Sequence, residues 1–172
     1  MNIDPFLVWL ESTSLSQWVV GSPSLLAFPG ILTLHAIGMG FAVGISAVLD
    51  FRILGIAPGV PLSEIRRFLP ILWLGFWVNA VSGVLLLIGY PTKALTNPVF
   101  YLKLTLIGVA MALLVRISRM AFDEPAAARA DIDPARLRKM QRLAVVSLVC
   151  WAGAITAGRL LAYTYSRLTA AG

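Results

Sequence analysis

Charge is what this chain lacks most. Asp, Glu, Lys and Arg make up 13% of its 172 residues, against about a quarter in an ordinary soluble domain. So few charges cannot cover a water-facing surface, which excludes a soluble enzyme or soluble binding module. Cysteine and histidine are nearly absent too, with one of each. The single Cys150 excludes an intrachain disulfide and, inside an apolar run, says nothing of redox compartment. The single His35 excludes any site that needs two imidazoles from one chain. Before Asp50 the only charges are Asp4 and Glu11, so the basic start of a cleavable signal is missing and the N-terminus is expected to be retained.

What is present is apolar. Residues of the apolar class make up 59% of the chain and mean hydropathy is +0.85, which places most of it in lipid. Four stretches reach the roughly 20 mainly apolar residues that a helix needs to cross a bilayer. They are residues 24–50, 68–90, 99–119 and 142–164. Ten of the fourteen Lys and Arg residues fall in or beside the connections after the first and third stretches. The positive-inside rule therefore puts those connections in the cytoplasm and both termini outside. The same bias accounts for the net charge of +6 and calls for no nucleic-acid partner.

The sequence thus predicts an all-α integral membrane protein, an up-down bundle of four transmembrane helices forming one domain. Residues 1–22 read as an interfacial helical segment, with Asp4-Pro5 and Ser14 with Gln17 as helix starts and Trp9 and Trp18 at headgroup level. Ser22-Pro23 repeats the start signal ahead of the first span. Residues 120–141 form the cytoplasmic connection, where Asp133-Pro134 caps an amphipathic helix. Pro29 predicts a distorted turn just outside His35. Small residues form a ridge on each span: Ala36, Gly40 and Gly44; Gly75, Asn79 and Gly83; Gly108 and Ala112; Ala154 and Gly158.

At a rise of about 1.5 Å per residue, His35 lies within roughly 3 Å of the midplane and Asn79 on it. Thr156 and Arg159 lie about 5 and 9 Å further out. An ionisable group at that depth is costly, so His35 is the leading site residue. Met39 is one turn inward on the same helix, and Thr156, Arg159 and Tyr163 share a face of the fourth. These residues predict a polar pocket with His35, Met39, Asn79 and Arg159 as cofactor-binding residues. Haem b would use His35 as axial ligand, aromatic side chains as slot, and Arg159 or Lys103 for the propionates, with a sixth ligand from a methionine or a second copy. Copper would take His35 as metal ligand with the Met39 thioether. A third reading makes His35 a packing residue hydrogen-bonded to Asn79, in a structural or assembly subunit. Lys103 and Arg159 also suit the membrane interface, and Asp50 with Arg52 reads as an ion pair at the inner surface. No catalytic constellation is present.

Four segments carry a resemblance: Leu34-His35-Ala36-Ile37-Gly38-Met39-Gly40, Asp50-Phe51-Arg52-Ile53-Leu54-Gly55, Gly83-Val84-Leu85-Leu86 and Pro98-Val99-Phe100-Tyr101-Leu102-Lys103. Together they resemble a group of small bacterial four-helix inner-membrane proteins of unassigned function, similar in turn to the membrane part of the copper-resistance D family. The resemblance implies a bacterial inner-membrane location, a four-helix bundle, and copper or haem handling at His35 and Lys103. A homo-oligomer, or a subunit of a larger complex beside redox partners, is the expected assembly.

Overall fold

The computed structural model of the chain describes residues 4–122 and 133–168. Residues 123–132 of the expected cytoplasmic connection lie outside the described residues. In chain order the helices are α1 (Asp4–Glu11), α2 (Ser14–Gly21), α3 (Phe28–Ile53), α4 (Leu62–Gly89), α5 (Pro91–Leu95), α6 (Pro98–Phe122) and α7 (Pro134–Leu168). There is no strand among the described residues. Helices α3, α4, α6 and α7 are each long and apolar enough to cross a membrane, so the chain is a multi-span helical membrane protein.

Helix ends follow prolines and caps, not hydropathy alone. Helices α5, α6 and α7 each begin on a proline and α4 begins just after Pro61, positions where the missing N–H has no partner to lose. Pro29 belongs to this group. It sits in the first turn of α3, so the distortion expected beside His35 does not arise. Helix α3 starts at Phe28, not near Ser22 and Pro23, and the Ser22 hydroxyl instead closes a local turn by accepting from Ser24 N at 3.2 Å. The α2 cap is Thr13, one residue before the expected Ser14, with Oγ1 accepting from Ser16 N at 3.3 Å. Pro70, by contrast, is interior to α4 and leaves the carbonyl four residues earlier without its usual donor.

Two antiparallel hairpins, α3–α4 and α6–α7, join mainly along α3 and α7. Leu49, Leu72, Leu114, Ile117 and Trp151 fill the core where they meet. The α3–α4 pair is the closest. A Cβ on Gly38 would lie 2.6 Å from Gly75 O and 2.7 Å from Asn79 N, and one on Gly75 would lie 2.7 Å from Phe41 Cβ. Backbone therefore meets backbone at this crossing, as small residues permit in membranes. The ridge of α4 is used as its spacing suggested, but α3 answers it with Gly38. A Cβ on Gly40, Gly44 or Gly108 would meet no other part of the structure within 4 Å.

Helices α1 and α2 pack on the end of the bundle formed by α4 and α5. Val19 is fully buried against Gly89, and Glu11 Oε1 accepts from Thr92 Oγ1 at 2.6 Å. The opposite end carries Arg52, Arg66, Arg67, Arg116, Arg119 and Arg142 and is termed the arginine-rich end.

Gly38→Ala and Gly75→Ala each force two backbones apart, and overpacking of this kind costs about 1–3 kcal/mol. Thermal unfolding in detergent is expected to show a lowered Tm for both, whereas Gly40→Ala and Gly44→Ala match the parent. Equal Tm values for all four variants would refute the close crossing.

Candidate functional site

The α3–α4 crossing places His35 beside the third turn from the end of α4. His35 is half-buried, and its neighbours Asn79 and Ser82 are buried. The Asn79 side chain donates from Nδ2 to His35 O at 2.7 Å, a bond between helices that satisfies a buried amide. Its 3.3 Å approach to Nδ1 accompanies that bond.

The imidazole is oriented by acceptors on α4. Nδ1 lies 3.0 Å from Asn79 O and 3.2 Å from Ser82 Oγ. The Ser82 hydroxyl donates to Val78 O at 2.6 Å, which leaves its oxygen as an acceptor. The network thus assigns the proton to Nδ1 and the lone pair to Nε2. Facing that lone pair is Lys103 of α6, whose Nζ lies 3.4 Å from Nε2 and donates to it. A carbonyl holding one ring nitrogen while the other presents its lone pair is the arrangement that metal-ligating imidazoles use.

Two glycines make room for this pair. A Cβ on Gly83 would lie 3.1 Å from His35 Cε1, and one on Gly158 would lie 3.6 Å from Lys103 Cε. The Lys103 stem therefore lies along α7 at Gly158 while its ammonium reaches α3. Among the described residues the single salt bridge is Arg67 to Glu64, so Lys103 is a half-buried cation without a carboxylate partner.

The expected residues divide in two. His35 and Asn79 are in direct contact. Met39 is partly buried and packs into the core below them. Arg159 is exposed on α7, as are Thr156 and Tyr163, while Ala154 and Ala157 of that helix turn inward. The cation beside His35 is Lys103, so the expected polar pocket between His35 and Arg159 is replaced by a direct imidazole–ammonium contact. Ser82 completes the imidazole's support. The signal for Lys103 was the pairing of a lysine one and a half turns into α6 with a glycine at matching height on α7. No three His, Cys, Asp or Glu side chains converge among the described residues, and Cys150 is buried in the core.

Asn79→Leu keeps the volume and removes the donor to His35 O. Interhelical hydrogen bonds in membranes contribute about 1 kcal/mol, so a Tm decrease in detergent of a few degrees is expected, and no change would show that the bond carries no stability.

Compared with known proteins, the chain matches no family model, no curated protein and no solved structure.

Proposed function

We propose that this protein is a non-enzymatic membrane subunit that binds haem b, which His35 Nε2 would hold and whose propionate Lys103 would pair with. The observation that carries the reading is the oriented imidazole. Its Nδ1 proton is committed to Asn79 O and Ser82 Oγ, and its Nε2 lone pair is met only by the Lys103 ammonium, which has to move aside for a ligand at Nε2. Lys103 adds a second reason. An ammonium held in an apolar bundle without a carboxylate is costly, and an anionic ligand removes that cost.

These residues fit haem better than copper. A haem needs one imidazole from this chain and a cation near it, and can take a sixth ligand from a second copy. Copper(I) would rest on His35 and the Met39 thioether, but Met39 packs into the apolar core. When bound, haem would supply one-electron chemistry, and a subunit of this kind works beside redox partners in a larger assembly. The charge bias supports both termini lying outside, the arginine-rich end in the cytoplasm, and α1 and α2 resting on the outer face with Trp9 and Trp18 exposed to headgroups. A bacterial inner membrane suits that placement.

The test is the visible spectrum and metal content of the purified full chain. A Soret band that is lost in His35→Ala is expected, and Lys103→Met should weaken haem affinity roughly tenfold, the loss of one charge-assisted bond. Bound copper without a Soret band would replace haem by copper transport. A colourless, metal-free protein would make His35 a packing residue in a structural or assembly subunit.

A further inference from the structure

The second polar feature of the bundle lies at its arginine-rich end, on the seam between α3 and α7. Trp151 Nε1 donates to Ser46 Oγ at 3.0 Å, and both residues are buried. One turn further along each helix, Asp50 faces Ser147. Asp50 is only 1% exposed and Ser147 is wholly buried. Apart from each other, neither Asp50 Oδ2 nor Ser147 Oγ has a hydrogen-bond partner. At the mouth of the seam, Gln141 Nε2 lies 3.5 Å from Ile53 O.

Sequence reading paired Asp50 with Arg52, and that ion pair is not formed. Arg52 Nε donates to Val60 O at 2.8 Å and turns away from the seam. The other charged groups on the helices packed against α3 are engaged or exposed. On α4, Arg67 pairs with Glu64 and Arg66 is exposed. On α7, Arg138, Lys139 and Arg142 are exposed and Arg136 donates to Met120 O. Of the eight acidic residues, Asp50 alone lies in the buried interior of a spanning helix among the described residues.

An ionised carboxylate in this position would face several kcal/mol of desolvation with no counter-charge to offset it. The Ser147 hydroxyl can lend its own proton to the carboxylate, but that leaves the negative charge buried without a counter-charge, whereas a proton on Asp50 removes the charge and leaves Ser147 Oγ as its acceptor. Among the described residues no three His, Cys, Asp or Glu side chains come together that could hold a metal ion. We propose that Asp50 and Ser147 form a proton-binding site, in which the Asp50 carboxyl takes up one proton at the arginine-rich end and donates it in a hydrogen bond to Ser147 Oγ. The reaction is simple association of a proton with a carboxylate, so no electron or leaving group is involved. Asp50 lies within one turn of the end of α3, and proton exchange with solvent needs only local opening of the α3–α7 seam. This site stands whether or not His35 holds a cofactor.

Infrared spectroscopy of the full chain in lipid nanodiscs at neutral pH tests it. The expected result is one protonated-carboxyl C=O band per chain, which shifts in deuterium oxide and is lost in Asp50→Asn. Ser147→Ala removes the acceptor and should shift the same band to higher frequency, a readout that does not depend on the Asp50 variant folding. Replacing sodium chloride with choline chloride should leave the band unchanged. A band absent in both salts, or one lost only when sodium is present, would overturn the proton assignment.

Discussion

The backbone contact between Gly38 and Gly75 is the constraint on which the rest of the bundle depends. It brings α3 and α4 so close that Asn79 reaches the carbonyl of His35 and the carbonyl of Asn79 reaches the imidazole. A larger residue at either glycine would separate the helices by more than a hydrogen bond can span. The site is thus a consequence of packing, with the imidazole's tautomer set by where α4 places a carbonyl and a hydroxyl. Lys103 is positioned by the same logic in the second hairpin, where Gly158 leaves space for its stem.

Within an apolar bundle, each ionisable side chain needs a specific physical account. Most basic residues meet this by lying at the arginine-rich end, exposed or bonded to carbonyls. Others lie inside the bundle: His35 and Lys103, which meet each other, and Asp50, which meets Ser147. The two polar sites occupy opposite ends of α3, with Met39, Ala42 and Ser46 between them. Both sit where the two hairpins come together, His35 toward α6 and Asp50 toward α7. Chemistry is therefore concentrated along one helix and at one junction, and the remaining surface is suited to lipid.

Much of the architecture was legible in sequence because length and hydropathy report directly on membrane crossing. The four long helices coincide with the four apolar stretches, and Asn79 and His35 were matched by depth alone. Rotation about each helix axis was not legible. An apolar helix that faces lipid on one side and protein on the other shows little periodicity, so nothing in α3 distinguished Gly38 from Gly40 or Gly44. The same ambiguity left Arg159 and Lys103 as alternatives for the cation beside His35. Helix starts failed for a different reason: several Ser, Thr and Pro signals lie within residues 12–29, and only tertiary packing selects Thr13 and Pro29 among them. The burial of Asp50 was hidden by its neighbour Arg52, since adjacent residues on a helix point in different directions.

Solid-state nuclear magnetic resonance of the chain in bilayers, with nitrogen-15 in histidine and lysine, examines the contact between His35 and Lys103 most directly. There is one histidine, so its imidazole signals are unambiguous. The expected spectrum has a protonated Nδ1, an unprotonated Nε2, and a through-space correlation from Nε2 to a lysine Nζ that disappears in Lys103→Met. For protein that retains a bound cofactor, the correlation should appear only after the cofactor is removed. A protonated Nε2 with no lysine correlation in the cofactor-free protein would contradict the arrangement on which the proposed site rests.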